Sequence, residues 1–497
     1  MSSESAYTDL ERRFRRIELV RQAEGLLHWD QSVWMPPGGA GARGAQLAEL
    51  KVISHEAITD PAIETLLDEV DPARLNQWQN ANIREMRRIW AGANAVPSEL
   101  VAAHSKACTS CETIWRDARA DSDFSAILPT FKEVLRLTRE IGEAKAAFLD
   151  VALYDALLGQ YAPGMRIDEI IPVFEDYAAF LPDFLEQVLA RQASQPKSVA
   201  PEGPFPVSTQ RTIMRRLAET VGLDFNSARL DESLHPFSAG VPEDSRITTR
   251  YDEANFGDAM MAVLHETGHA MYERGRPAEW REQPVGRARG MVIHESQSLL
   301  VEMQVCRSRA FIGWVAPVLK QAFSGNGSAW EADNLYRRSI HVKPSFIRVD
   351  ADEVTYPAHV ILRTRLERAM LDGDLKPDDL PGAWNEGMVD LLGISPPEDR
   401  LGCLQDIHWY DGAWGYFPTY TLGALAAAQI YRAATDSDTR IEPAIAAGDF
   451  SPLMAWLGEH IHGQGCLYSA DDLIERATGR TLDPSAFKDH LKKRYLG

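Results

Sequence analysis

The chain has 497 residues, 45% hydrophobic and 25% charged, with 72 acids against 52 bases and a net charge of −20. That composition supports a substantial core and excludes wholesale disorder, while the acidic balance argues against a nucleic-acid binder, which would normally show a basic face to phosphates. No run of about 18 apolar residues occurs, so no membrane span is expected.

The N-terminal stretch MSSESAYTDLERRFRR lacks the apolar segment of a signal peptide, and five cysteines are few and odd in number. A cytoplasmic protein is expected. Apolar residues at three- and four-residue intervals predict helices over roughly 6–26, 80–92 and 97–120, then along the segment 124–157. Further helices are predicted over roughly 167–192, 208–221, 257–274, 291–323, 357–371 and 420–434. MPPGGAGARG (35–44) reads as a loop, and no Gly-Lys-Ser/Thr follows to make it a phosphate loop. The segment 192–208 is the most linker-like, and SGNGS (324–328) ends a helix. The best strand candidate is Phe346–Val349, with Arg246–Thr249 as a partner nearby in space. No repeat or charge block divides the chain, so residues 1–497 read as a single mainly α body. Cys108 and Cys111 form a C-x-x-C in a helical segment. Cys306, Cys403 and Cys466 are isolated, so no second ligand pair exists and ordinary helix cysteines are expected.

The chemistry-bearing feature is His265-Glu266-Thr267-Gly268-His269, an H-E-x-x-H. Two histidines four apart on a helix can reach one metal ion, and the glutamate beside the first can act as general base. Chance supplies on the order of 0.03 such matches in a chain of this composition. A catalytic zinc takes three protein ligands and leaves one position open. On the following helix Met291, Leu299, Met303, Cys306 and Ala310 form an apolar stripe that includes Glu295. A carboxylate on a buried face requires a cation or donors, which makes Glu295 the expected third ligand, with His294 and Glu302 as alternatives.

These motifs have companions in order: LLHWDQSVWMPPGG, His235-Pro236-Phe237, Asp244-Ser245-Arg246-Ile247-Thr248, and His294-Glu295-Ser296-Gln297. Ile347-Arg348-Val349-Asp350-Ala351-Asp352, GCLQDIHW (402–409) and YFPTYTLG (416–423) complete the series. In this series the chain resembles the carboxypeptidase Taq, or thermostable carboxypeptidase, family of zinc metallocarboxypeptidases. The resemblance implies a nearly all-α body with a deep central groove, similar to neurolysin and angiotensin-converting enzyme, assembled as a homodimer. It implies removal of single C-terminal residues with broad specificity and poor tolerance of C-terminal proline. It also assigns His265, His269 and Glu295 to one Zn2+ per chain and Glu266 to catalysis. The ligand set suits other divalent ions too, Co2+ among them.

An exopeptidase must hold a free carboxylate, and arginine does so with a planar fork. Arg348, between two apolar residues, is the first candidate and Arg246 the second; the alternative is that each pairs with a local acid, Asp352 or Asp244. Tyr420, His408 and His235 are candidate donors to a developing oxyanion, and Gln405 and Asp406 candidate partners that orient a histidine. The expected partners are peptides with a free C-terminus, with no nucleic acid and no membrane. The rival readings are a zinc endo-oligopeptidase and a non-catalytic peptide-binding scaffold; a scaffold has no need of Glu266.

Overall fold

Four N-terminal helices, α1 (Ser3–Val33), α2 (Ala40–Thr59), α3 (Pro61–Glu69) and α4 (Gln77–Asn94), enclose a small core of their own around Tyr7, Leu10, Phe14, Leu66 and Met86. The structure, a computed structural model, describes the backbone from residue 3 and the side chains from residue 4; residues 1 and 2 of the polar N-terminal stretch lie outside the described residues. Local chemistry starts these helices. The Ala62 N–H donates to Asp60, and Asn76 and Gln79 make a reciprocal capping box.

The second and larger core runs from Cys108 to Tyr495. It is built first from α5 (Ser98–Asp121), α6 (Phe124–Leu149), α7 (Leu153–Leu158), α8 (Ile167–Ser194) and α9 (Val207–Val221). A three-stranded sheet follows, β1 (Ala228–Glu232), β2 (Ser238–Val241) and β3 (Asp244–Thr249), with β3 central, parallel to β1 and antiparallel to β2. Then come α10 (Phe256–Gly275), α11 (Gly290–Leu299), α12 (Arg309–Ala322), α13 (Ala332–Ser339), α14 (Tyr356–Asp372), α15 (Leu380–Leu392) and α16 (Pro418–Ser437). Four short helices close the chain: α17 (Ile441–Ala446), α18 (Ser451–His460), α19 (Ala470–Thr478) and α20 (Ser485–Leu491). Mainly α architecture is what the hydrophobic spacing predicts. No helix among the described residues is long and apolar enough to cross a membrane.

Several expectations change in detail. The loop expected over 35–44 ends early, because α2 begins at Ala40. The segment 124–157 is two helices, since Asp150 turns into the left-handed region (φ 54) and ends α6. The predicted helix 291–323 is α11, a wide π-helical turn over Leu300–Cys306, and then α12, whose first turn is capped by Ser308 accepting from the Phe311 N–H. Arg246–Thr249 is a strand, but Phe346–Val349 is not. The Arg348 N–H donates to the Gln405 side chain rather than to a ladder, and Arg348–Asp350 forms a 3-10 turn. The linker-like 192–208 is pinned to the body: Val199 exchanges two hydrogen bonds with Asn334, and Phe205 packs against Phe256, Phe323 and Trp330. All five cysteines are free and buried, and burial pushes the Cys108 thiol up to about 12 and Cys111 up to about 11, so neither is a thiolate at neutral pH.

Candidate metal centre

Asn255 caps α10 by accepting from the Gly257 N–H, and His265 and His269 then fall one turn apart on this helix. Gly268 lets α11 approach: a Cβ there would meet the Gln297 carbonyl oxygen and Ser298 Cα at 2.7 Å. The close crossing brings Glu295 of α11 against both imidazoles. Its Oε2 lies 3.8 Å from His265 Nε2 and 3.4 Å from His269 Nε2, and the three donor atoms all lie within 4.8 Å of one another. Behind the carboxylate, Gly423 of α16 is equally tight, since a Cβ would sit 2.9 Å from Glu295 Cβ and Cγ.

The far ring nitrogens are held from outside. His265 Nδ1 lies 3.0 Å from Glu302 Oε2, and His269 Nδ1 lies 3.1 Å from the His294 carbonyl oxygen. These contacts aim both Nε2 atoms at Glu295, as supporting groups do around metal-binding histidines. Glu302 is delivered by the π turn and also accepts from Arg307 (2.7 Å), while His294 Nε2 meets Glu273 at 3.0 Å. The two alternative ligands are therefore occupied elsewhere, and Glu295 alone among the three faces both histidines.

The charges suit a cation. Burial, aided by His294, pushes His269 down to about 4, so it is a neutral imidazole. Burial works against the Glu295 charge, but His265 and His269 outweigh it and hold the carboxyl at about 2. Burial also opposes a charged His265, yet Glu295, Glu302 and Glu266 together raise it to about 10. Three carboxylates around one imidazole make a centre that attracts positive charge. Two imidazole nitrogens and one carboxylate oxygen match a four-coordinate divalent ion with one open position. Glu266 is 6% exposed; burial, opposed by His265 and reinforced by Glu295, pushes it up to about 7. Glu302→Gln, which keeps an acceptor for His265 but removes the charge, is expected to weaken metal affinity by about 10-fold or more. Chelator competition measures this, and unchanged affinity would contradict the supporting role.

A second cluster surrounds Arg348, which is 6% exposed. Its Nε and Nη2 donate to Asp406 Oδ1 at 3.2 and 2.8 Å, and Nη1 donates to the Tyr356 hydroxyl at 3.1 Å. Asp406 also accepts from Arg363 Nε at 2.7 Å. The local acid considered from sequence, Asp352, instead accepts from the backbone N–H groups of Lys343, Val354 and Thr355. Two guanidinium groups share one carboxylate, leaving a surplus positive charge in a buried setting. The Arg348 guanidinium lies 5.0 Å from the Tyr420 ring centre, and Tyr420 precedes by one turn the Gly423 that abuts Glu295. His408 Nδ1 is 3.9 Å from Asp406 and has no hydrogen-bond partner; burial pushes the ring down to about 4, so it is neutral. Gln405 orients no histidine but fastens the Arg348 turn, accepting from its N–H and donating to the Phe346 and Leu401 carbonyls. Arg246 is paired one-to-one with Asp244 (2.7 Å) and stacked on Trp29 (4.3 Å), and His235 is exposed on the loop before β2. Sequence reasoning missed Tyr356 and Arg363; an arginine directly after the apolar run Val360-Ile361-Leu362 was the available signal for the second. Asp406→Ala leaves both buried guanidinium groups without a carboxylate, and a loss of about 3–5 kcal/mol of stability is expected in denaturant unfolding. A loss below about 1 kcal/mol, the range of surface pairs, would contradict this.

The carboxypeptidase Taq (M32) metallopeptidase family matches residues 9–495. Thermostable carboxypeptidase 1 of Thermus thermophilus is 37% identical, over 100% of this chain and 99% of the relative. That of Pyrococcus furiosus is 33% identical over 97% of each. Among solved structures, Trypanosoma cruzi metallocarboxypeptidase 1 superposes with a TM-score of 0.97 at 39% identity, covering 99% of this chain and 100% of that one. The M32 carboxypeptidase of Deinococcus radiodurans gives 0.92 at 32% identity, covering 99% of both chains. With a full-length match and a centre of two histidines and a glutamate, the chain belongs to the carboxypeptidase Taq (M32) family and is a metallocarboxypeptidase, a metal-dependent hydrolase of peptide bonds.

Proposed function

We propose that the enzyme holds zinc on His265, His269 and Glu295 and releases single residues from the free C-terminus of peptides. The observation that carries this reading is a buried carboxylate, Glu266, beside a three-ligand cluster, with two buried arginines that share a single aspartate nearby. Zinc bound there supplies Lewis-acid polarisation of the scissile carbonyl and acidifies water. Glu266 accepts a proton as the water oxygen adds to the carbonyl carbon. It returns that proton to the leaving nitrogen as the carbon–nitrogen bond breaks. Tyr420 and His408 are the nearby candidates to donate to the oxyanion.

Arg348 is favoured over Arg246 for the terminal carboxylate because of its charge balance. Arg246 and Asp244 neutralise each other, whereas Arg348 and Arg363 share Asp406 and can accept one more negative charge. Arg348→Ala leaves Asp406 paired with Arg363. A charge-assisted contact of about 2–4 kcal/mol corresponds to a drop in kcat/KM of about 30- to 1,000-fold on free-acid peptides. The parent should handle C-terminal amides poorly, and the variant should lose its preference for the acid. A variant with the same preference as the parent would pass the role to Arg246.

A further inference from the structure

A cavity of about 820 Å³ lies between α1, α2, α4 and the turn after α7, and is lined by charge opposite in sign to the chain as a whole. The smaller cavity beside His294, about 340 Å³, is bordered by Ser238–Val241 of β2 and by Ala270 and Glu273 of α10. Arg21 and Arg287 line both cavities, so the two share a wall. Six cations line the larger cavity, Arg21, Lys51, Arg88, Lys145, Arg166 and Arg287, against the two acids Glu24 and Asp155. Three of the six have carboxylate partners: Arg88 with Glu85 at 2.8 Å, Arg166 with Asp155 at 4.0 Å, and Arg287 with Glu18. Among the described residues, Arg21, Lys51 and Lys145 have no carboxylate within 4 Å, although Glu18 and Glu24 attract Arg21; Lys145 only reaches the Gln160 amide oxygen at 3.5 Å. Burial, with Arg287 next, lowers the pKa of Arg21, and burial lowers that of Lys145.

The strand geometry supplies a path to this chamber. β2 is an edge strand; Ser238–Val241 border the smaller cavity together with His294 of α11, and with Arg21 and Arg287, which also line the larger one. An extended peptide laid along such an edge runs from the metal centre toward the cations. Arg348, Tyr356 and Tyr420 line neither cavity. With the terminal carboxylate at Arg348, the residues upstream of the scissile bond lie on the chamber side. We propose that this basic chamber is the subsite for those upstream residues and selects peptides carrying Asp or Glu there. The proposal rests on the carboxypeptidase reading and adds a substrate class to it.

The test uses the metal-loaded enzyme and two peptides differing only in Glu or Lys at the third to fifth residues from the C-terminus, with an N-blocked dipeptide too short to enter the chamber. The wild type should favour the acidic peptide by about 10-fold in kcat/KM, mostly through KM, and the preference should shrink as salt rises. Arg21→Glu combined with Lys145→Glu should reverse the preference and leave the dipeptide within about 2-fold of wild type, since neither residue touches it. The milder Arg21→Gln and Lys145→Gln variants should each cut the preference by about 3-fold. Equal wild-type rates on the two peptides, or a preference that survives both salt and charge reversal, would overturn the chamber while the dipeptide is still cleaved. No single-residue release from any of the three substrates would overturn the peptide-trimming reading beneath it.

Discussion

Glu266→Gln is expected to lower kcat by about 1,000-fold, the middle of the range for removing a positioned general base, with metal content unchanged. Glutamine matches the glutamate in shape, but on the proposed mechanism it cannot take the proton of the attacking water. Because Glu266 lies between the two histidines in sequence yet outside the three-atom cluster, the substitution separates metal binding from turnover. Elemental analysis and turnover on one preparation check both halves. Activity near that of the parent at full metal content would remove the base assignment.

Glu295→Ala should cost more in metal affinity than the roughly 100-fold upper end for a residue that merely supports a ligand. It deletes the one carboxylate that faces both Nε2 atoms, and it leaves His265 beside Glu302 and His269 beside the His294 carbonyl. Alanine is a good helix former and removes rather than adds atoms where Gly423 presses on the side chain, so the crossing of α11 and α16 should persist. Dialysis followed by metal analysis tests this. Metal retained by this variant but lost by His294→Ala would identify the wrong neighbour as ligand.

Most of the metal centre was legible because it depends on short-range spacing. Two histidines one turn apart declare a shared target on any helix, and Glu295 stood out as a carboxylate on an apolar stripe. Glu302 was visible only as an alternative ligand. Its place beneath His265 depends on the extra residue in the π turn at Leu300–Cys306, which a regular helical period does not anticipate. The fold class followed from the dominance of helical periodicity, while boundaries failed where one side chain overrode a pattern. Gln405 captured the Arg348 N–H and turned an apparent strand inward, and Asn334 with the aromatic cluster at Phe205 tied a linker-like stretch to the core. The partner of Arg348 also lay beyond reach, because Asp406 is 58 positions away and sequence proximity favoured Asp352. The helices after α16 are short and were passed over; Leu453, Ile474, Phe487 and Leu491 bury into the main core, so tertiary packing rather than a long amphipathic pattern accounts for them.

Mass spectrometry of one peptide offered as free acid and as C-terminal amide, with and without a chelator, tests the central claim most directly. The account predicts a ladder of single-residue losses from the free acid, little or none from the amide, and no ladder after chelation until zinc is restored. Internal cleavage, or equal trimming of acid and amide, would contradict it.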